Sequence, residues 1–271
     1  MQKTIFITGA SAGLGKSTAK LFQSKGWNVI ATMRNPEKET ELNQLENIML
    51  FALDVTNLEQ INETVKLITS QFNIDVVFNN AGYGLAGPLE YSTDDQIVQQ
   101  IETNLTSVIR VTKAFIPYFR KKRDGLFITT TSIFGFSTGP LGSIYNTTKW
   151  ALEGFSESIS YELALHNIGV KTVAPGGIKS NFVNAAQFVY GDEYEALNAS
   201  MSKLIEKGEL FVFNDVDEIA LVVYEAATDG KDQLRYLAGK DAINTFQQRS
   251  EIGAENFRIG LKQQLNLTTT I

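Results

Sequence analysis

The stretch that decides the fold is KTIFITGASAGLG, residues 3–15. Residues 3–8 are mostly apolar and β-branched, which predicts a buried strand, and the small residues of 9–15 predict a tight loop. A helical pattern then runs from about Leu14 to Lys25. A strand, a glycine loop and a helix start bring free backbone N–H groups and the helix dipole together, and this arrangement favours a phosphate group.

The glycine spacing of this loop separates three phosphate-binding motifs. The P-loop motif G-x-x-x-x-G-K-S requires a glycine where residue 10 is alanine. The motif G-x-G-x-x-G meets Thr18 where glycine or alanine is required. The motif T-G-x-x-x-G-x-G is complete, at Thr8, Gly9, Gly13 and Gly15. The loop therefore predicts a dinucleotide site, with a turn that binds no ligand as the alternative.

A second predicted strand, Asn28 to Met33, ends at Arg34, and no carboxylate follows before Glu37. In a doubly wound sheet this strand end faces the adenosine ribose of a dinucleotide. An acidic residue there would bind the 2′-hydroxyl of NAD, whereas an arginine accommodates the 2′-phosphate of NADP. We therefore predict NADP(H) as the cofactor. The alternative for Arg34 is an ordinary exposed side chain.

Strands and helices alternate along the rest of the chain. Strands are predicted at 48–54, 74–78, 127–132, 170–174 and 234–238, and helices at 58–72, 94–122, 144–165 and 215–228. This alternation is typical of the doubly wound α/β class, in which helices cover both faces of a parallel sheet. We expect residues 1–271 to form a single domain whose Gln- and Asn-rich end is partly mobile from about residue 260.

Small and polar residues follow the predicted strand ends, where such sheets bind their ligands. Asp54 and Val55 follow the third strand, and Asp54 is placed to pair with an adenine amino group. Asn79-Asn80-Ala81-Gly82 follows the fourth strand, and its small residues let the backbone lie close to a cofactor. Pro175-Gly176-Gly177-Ile178 follows the sixth and exposes backbone groups. Ordinary turns are the alternative for each.

The second informative stretch is FITTTSIFGFSTGPLGSIYNTTK, residues 127–149. A buried strand ends at Ser132, a glycine-rich loop follows, and Tyr145 and Lys149 then share one face of a helix. A free tyrosine titrates at about 10, and a neighbouring ammonium stabilises its phenolate. The pair is therefore suited to exchange a proton with a substrate oxygen near neutral pH. Ser132 is placed to hold the same oxygen.

Tyr-x-x-x-Lys alone is weak evidence, because the chain contains it three times, starting at Tyr118, Tyr145 and Tyr236. Only the middle copy follows a strand that ends in a hydroxyl residue and a glycine-rich loop. We therefore assign the acid–base site to Tyr145. We interpret the tyrosines and lysines of the other two copies as solvated side chains without a catalytic role.

Composition and charge limit the classes of function. The net charge of −6 and the pI near 5.0 argue against nucleic acid as a partner. The chain has no cysteine, and its one histidine, His166, is expected at the surface or capping a helix, so we predict no metal site. No apolar run approaches membrane-spanning length, and the run at 5–7 is too short for a signal peptide. We expect no membrane partner and a cytoplasmic location.

Together these motifs resemble the short-chain dehydrogenase/reductase family, from the first strand to about residue 242. Seven family signatures occur in order: TGASAGLG, the arginine after the second strand, LDV, NNAG, the helical Asn104, S…YNTTK and PGGI. The resemblance implies a Rossmann-type sheet of about seven strands in the order 3-2-1-4-5-6-7. It also implies a homodimer or homotetramer, because family members often assemble through the helix that carries the tyrosine and the helix before it.

The resemblance implies roles for four residues. Tyr145 would be the general acid/base, and Lys149 would lower its pKa and hold the nicotinamide ribose hydroxyls. Ser132 would bind the substrate oxygen, and Asn104 would support a water relay to the lysine. Judged by its own neighbours Ile101, Leu105 and Val108, Asn104 would otherwise be an exposed or back-bonded helical residue.

The resemblance also implies a cofactor site. Ile178 resembles the residue whose backbone meets the nicotinamide carboxamide, and Ser180 occupies a position where many members have threonine. The implied site comprises Gly9, Ser11, Gly13, Leu14, Gly15, Arg34, Asp54, Val55, Asn80, Ala81, Gly82, Tyr145, Lys149, Pro175, Gly176, Ile178 and Ser180.

The function implied is NADP(H)-dependent interconversion of a carbonyl and a secondary alcohol, with a small-molecule, apolar substrate. Two rivals are a non-catalytic NADP(H)-binding sensor of the same fold and a P-loop phosphotransferase. Residues 182–213 are rich in aromatic and aliphatic side chains, and we expect them to form a mobile lid over the substrate. The alternative is fixed packing against the core or a neighbouring subunit. Ser132, Phe134 and Tyr145 are the expected substrate contacts.

Overall fold

The computed structural model describes residues 2–180 and 186–267. In this part of the chain seven parallel strands form the main sheet, in the order 3-2-1-4-5-6-7. In chain order they are β1 (Thr4–Thr8), β2 (Asn28–Met33), β3 (Ile48–Ala52), β4 (Val76–Asn79), β5 (Gly125–Thr130), β6 (Ile168–Pro175) and β7 (Arg235–Ala238). The predicted single-domain, doubly wound fold is confirmed, and its strand order reverses between β1 and β4.

Helices lie between the strands, and two further helices follow the last strand, β7. They are α1 (Gly13–Ser24), α2 (Leu58–Gln71), α3 (Asp94–Ile101), α4 (Ser107–Lys122), α5 (Ser143–Ala164), α6 (Glu195–Glu206), α7 (Val216–Thr228), α8 (Lys240–Ile252) and α9 (Ala254–Gln264). A π-helical turn, Glu102–Thr106, joins α3 to α4. The region 94–122 is therefore divided at this turn, whereas Pro117 lies inside α4.

Side chains alternate between two cores because successive residues of a strand point to opposite faces of the sheet. Ile5 and Ile7 of β1 pack with residues of α1 and α7 on one face. Phe6 packs on the other face, among residues of α2, α4 and α5. The sheet is thus covered on both faces, and its carboxyl edge is left for the loops.

Two pairs of short parallel strands organise the loops at this edge. Leu85–Ala86 pairs with Gln187–Phe188, and Ile178–Lys179 pairs with Asn214–Asp215. Residues 186–213 are therefore attached to the main body near both ends. Residues 182–185 of the expected lid lie outside the described residues.

The carboxyl-terminal region forms two helices, α8 and α9, that the sequence did not predict. Gly253, with φ of +82°, separates them. Phe246 of α8 packs edge-on against Phe136 at 5.2 Å between ring centroids, and Leu265 is buried. The two helices therefore cover the loop between β5 and α5. Residues 268–271 lie outside the described part of the chain.

Within the described ranges, no helix combines the length and apolar character needed to cross a membrane.

Candidate active site

The glycine loop, residues 9–15, and the turn after β4 are joined by hydrogen bonds. Thr8 Oγ1 accepts from the backbone N–H of Asn80 at 2.9 Å and of Ala81 at 3.1 Å. The Asn80 amide donates to the carbonyls of Thr8 and Gly9, both at 3.2 Å. The first residue of the T-G-x-x-x-G-x-G motif thus ties the loop to the Asn-Asn-Ala-Gly turn.

The loop glycines allow close backbone packing. Gly9 has φ of +68°, and a Cβ on it would lie 2.7 Å from Ala81 Cα. A Cβ on Gly15 would lie 2.3 Å from the Gly9 carbonyl oxygen. Helix α1 starts at Gly13 with no side-chain cap and no acidic residue in its first turn, so its N–H groups are available to a phosphate. These features fit a dinucleotide pyrophosphate.

The remaining predicted cofactor residues lie at the same edge of the sheet. A Cβ on Gly13 would lie 3.6 Å from Ser180 Cβ, so Ser180 is beside the glycine loop. Asp54 accepts hydrogen bonds from the backbone N–H and hydroxyl of Thr56 at 2.9 and 2.7 Å, which fixes the turn after β3. Val55 and Leu14 are buried, whereas Ser11 is exposed.

Arg34, after β2, is exposed and makes no ion pair or side-chain hydrogen bond with any described residue. Two acidic side chains further along, Glu39 and Glu41, are paired with lysines. Lys16 Nζ lies 3.1 Å from Glu39 and 2.6 Å from Glu41, and Lys20 also pairs with Glu41. Hydrogen bonds from these two lysines lower the pKa of Glu41 to about 2. The sequence showed Arg34 but not this cluster of charges.

The structure brings Ser132, Tyr145 and Lys149 together at the ends of β5 and α5. Ser132 caps a short 3₁₀ turn by accepting the Phe134 N–H at 3.1 Å, and its side chain is hydrogen-bonded to Tyr145. Lys149 is buried; its Nζ donates to the Thr130 carbonyl at 2.9 Å and lies 5.7 Å from the centre of the Tyr145 ring. A phenol, a hydroxyl and an ammonium thus share one site.

The electrostatics of this site differ from the expected picture. Burial raises the pKa of Tyr145 to about 12, although the hydrogen bond with Ser132 acts in the opposite direction. Burial also lowers the pKa of Lys149 to about 8, and the Glu153 carboxylate acts in the opposite direction. The sequence predicted instead that Lys149 lowers the pKa of Tyr145 below its ordinary value. Burial of the phenol is the largest effect on its pKa.

Asn104 lies in the π-helical turn and is buried against the turn after β4. Its Oδ1 accepts the Tyr83 N–H at 3.0 Å, and its Nδ2 donates to the Tyr83 carbonyl at 2.8 Å. Gln100 donates to the same carbonyl at 3.0 Å. A Cβ on Gly82 would lie 3.0 Å from Asn104 Oδ1. The contacts seen for Asn104 hold the Asn-Asn-Ala-Gly turn, and π-helical turns often occur at functional sites.

The other two Tyr-x-x-x-Lys copies make structural contacts. Tyr118 accepts the Ile74 N–H at 3.0 Å, and Lys122 pairs with Asp75 at 2.6 Å. Tyr236 donates to Asp229 at 2.6 Å, and its lysine partner is Lys171 rather than the lysine four residues on.

Aromatic side chains surround the approach to Tyr145. The Phe134 ring is edge-on to Tyr145, with 6.3 Å between centroids, and edge-on to Phe211 at 5.5 Å. Phe213 is next to Phe211 at 6.4 Å and is partly exposed. The predicted substrate contact Phe134 therefore links the phenol to the end of residues 186–213.

A family model described as short chain dehydrogenase matches residues 3–188. The chain belongs to the short-chain dehydrogenase/reductase family and is an oxidoreductase of that family, as the resemblance predicted.

Relatives and solved structures agree with this assignment. An uncharacterized oxidoreductase of Schizosaccharomyces pombe is 35% identical over 238 residues, 87% of this chain and 100% of the relative. The 3-ketodihydrosphingosine reductase of Bacteroides thetaiotaomicron is 34% identical over 210 residues, 76% of each chain. The structure of ElxO with NADP bound is 27% identical, with a TM-score of 0.75, and covers 90% of this chain and 100% of its own. Other structures with this fold hold NADP or NAD, so fold alone does not select the cofactor.

Proposed function

We propose that this protein is an NADP(H)-dependent oxidoreductase that interconverts a carbonyl and a secondary alcohol. The observation that carries the proposal is the hydrogen-bonded Ser132 and Tyr145 beside the buried Lys149, at the sheet edge that also holds the glycine loop. When bound, the nicotinamide supplies or accepts the hydride. Positioning, proton transfer and exclusion of water fall to the protein.

Tyr145 is the proton donor of the proposed reaction. Because burial raises its pKa to about 12, the phenol stays protonated at neutral pH. A neutral phenol donates to the oxygen of a carbonyl as negative charge develops there, and Ser132 holds the same oxygen. A protonated phenol is the form that reduction of a carbonyl requires.

Lys149 is the proposed ligand of the nicotinamide ribose. The ammonium has three donors, and within the described residues it uses one of them, on the Thr130 carbonyl. With a pKa of about 8 it is mostly protonated at neutral pH. Two donors are therefore available for ribose hydroxyls. For Asn104, we propose that its hold on Tyr83 keeps the turn after β4 in place, with the water relay a further proposal.

The preference for NADP(H) rests on the charges after β2. Lysines neutralise Glu39 and Glu41, and the guanidinium of Arg34 has no protein partner among the described residues. Arginine binds phosphate through a planar set of donors. A 2′-phosphate is therefore the better match, in line with ElxO, whose structure holds NADP.

The proposed substrate is apolar near its carbonyl, because Phe134 packs edge-on against Tyr145 and Phe211 packs behind it, against Phe134. A relative named as a reductase of a keto compound agrees with this direction and chemistry. We keep residues 182–213 as a proposed lid, attached near its ends by the pairings at Gln187–Phe188 and Asn214–Asp215. We also propose a homodimer or homotetramer, supported by the exposed Trp150 and Tyr161 on α5 and the exposed Leu165 directly after it.

The proposal is tested with a panel of ketones, aldehydes and alcohols, each assayed with NADPH or NADP and followed by nicotinamide absorbance. Reduction of bulky apolar ketones is the expected activity. NADPH binding without turnover across the whole panel would instead favour the non-catalytic sensor. Failure to bind either NADPH or NADH would overturn the proposed function.

A further inference from the structure

A buried carboxylate, Asp241, lies behind the turn that follows β6 and has no part in the chemistry proposed above. Asp241 is in the first turn of α8 and is 6% exposed. Its Oδ2 accepts from the backbone N–H of Gly177 at 2.7 Å and of Val212 at 3.3 Å. One carboxylate therefore joins the turn after β6 to the end of residues 186–213.

A buried amide, Asn214, completes this connection. Its Nδ2 donates to the carbonyls of Gly177 at 3.0 Å and Val212 at 2.8 Å, and to Asp241 Oδ1 at 3.0 Å. The Asn214 backbone N–H also donates to the Gly177 carbonyl, at 2.9 Å. Together, Asp241 and Asn214, which we call the latch, satisfy both the N–H and the carbonyl of Gly177.

Glycines allow the backbone to reach the latch. A Cβ on Gly176 would lie 2.0 Å from Asp241 Oδ1, so the turn packs directly on the carboxylate. Gly239 has φ of +102°, and a Cβ there would lie 2.5 Å from Asn214 Nδ2. Within the described residues Asp241 has no ion pair, and its negative charge is held by N–H donors at a helix start. Three separate segments thus converge on one buried charge.

We propose that Asp241 and Asn214 are positioning residues for the nicotinamide half of the cofactor site. This inference rests on the proposed function and on the place that the family resemblance implies for Ile178, whose backbone would meet the nicotinamide carboxamide. The latch holds the residue before Ile178 and ties it to residues 212–214, so the carboxamide contact and the end of the proposed lid move together. The adenosine half would lie on the glycine loop and the end of β2, to which the latch makes no hydrogen bond.

The first experiment compares binding of NADPH with binding of 2′,5′-ADP, which lacks the nicotinamide. Asp241→Asn removes one acceptor oxygen and the charge while keeping the shape of the side chain. We expect the Kd for NADPH to rise about tenfold, the effect of one buried donor left without its partner, and the Kd for 2′,5′-ADP to stay within about twofold. Asn214→Ala should give the same pattern. Equal weakening of both ligands would show a merely structural role and overturn the proposal.

Asp229→Asn is the matched control. It removes another carboxylate whose side chain is mostly buried, one that lies before the start of β7 and binds Lys171 and Tyr236 but not the turn. It should lower the melting temperature without changing the ratio of the two affinities. A protein that binds NADH but not NADPH would correct the proposed cofactor, and the latch is then tested with NADH against 5′-AMP.

A second readout needs no cofactor. Amide hydrogen exchange in Asp241→Asn should become faster in residues 176–178 and 211–214 together, while residues 187–189, attached elsewhere, keep their wild-type rate. Unchanged exchange in either of the first two segments would overturn the coupling. This outcome is separate from the proposed function, which is tested by cofactor binding and turnover in the wild type.

Discussion

Two tyrosine–lysine pairs in this protein have the same side chains and different surroundings. In one, Lys149 Nζ lies 5.7 Å from the centre of the Tyr145 ring; in the other, Lys171 Nζ lies 5.0 Å from that of Tyr236. Both lysines are buried. The distance between the partners therefore does not tell the two pairs apart.

The groups around each pair do tell them apart. Lys171 binds the Asp229 carboxylate at 2.7 Å, and Tyr236 donates to the same carboxylate at 2.6 Å, so this ammonium and this phenol are satisfied by protein. Among the described residues Lys149 hydrogen-bonds to a neutral carbonyl while the Glu153 carboxylate acts on it without a hydrogen bond, and Tyr145 is hydrogen-bonded to a serine hydroxyl. A pair closed by a carboxylate stabilises the fold. Where no carboxylate is hydrogen-bonded to the lysine, as at Lys149, its ammonium keeps donors for a ligand.

Among the changes that test this distinction, Tyr145→Phe should have the largest effect on kcat, because it removes the proton donor and keeps the ring. We expect kcat to fall by about 10²–10⁴, the usual contribution of general acid–base catalysis, with the Kd for NADPH nearly unchanged. Steady-state rates and NADPH fluorescence titration measure the two quantities. Tyr118→Phe and Tyr236→Phe are the controls and should leave kcat nearly intact in folded protein. A Tyr145 variant that kept more than about a tenth of wild-type kcat would contradict the assignment.

Lys171→Met should act on stability instead. Removing one partner of a buried ion pair leaves Asp229 with only the exposed Lys231, at 3.8 Å, as a counter-charge, so the free energy of unfolding should fall by about 3 kcal/mol. Denaturant titration measures this, while kcat per folded molecule should stay near the wild-type value. Lys207→Met, at an exposed pair with Glu209, is the control and should change stability by less than about 0.5 kcal/mol. A tenfold loss of kcat in Lys171→Met would break the distinction between the two pairs.

Sequence reasoning identified the glycine loop, the strand order and the Tyr145 helix because each is carried by a local pattern or by motif order. It missed α8 and α9, since their polar faces leave no strong apolar stripe to mark a helix. The latch joins residues 64 positions apart, and no spacing rule connects Gly177 to Asp241. The pKa of Tyr145 is raised by burial, which depends on the whole fold. The sequence showed only Lys149, four residues away, and so suggested a lowered pKa.

Arg34→Ala should change the choice of cofactor. The loss of charged hydrogen bonds to a 2′-phosphate should weaken the binding of NADPH by about tenfold to a hundredfold. The binding of NADH should stay nearly unchanged. The measurement is kcat/KM for both cofactors. Lys38→Ala, a nearby exposed lysine, is the control and should change neither. Equal kcat/KM for NADPH and NADH in the wild type would show that Arg34 does not select the cofactor.

The smallest expected effect is a pH dependence of NADPH binding set by Lys149. Its ammonium is present below the pKa of about 8 and is lost as pH rises through that value, and the neutral amine holds ribose hydroxyls less well. Affinity for NADPH should therefore be constant below pH 7 and fall by about tenfold by pH 9. Tyr145 is not the source of this change, because burial places its pKa at about 12.

Lys149→Arg separates the charge from the titration, since a guanidinium stays protonated throughout this range. Its affinity for NADPH, even if lower, should not change between pH 7 and pH 9. Calorimetric titration of both proteins across the range decides the question. A wild type without the fall, or an arginine variant with the same fall, would place the titrating group elsewhere. In that case Lys149, like Lys171, would hold the fold rather than the cofactor.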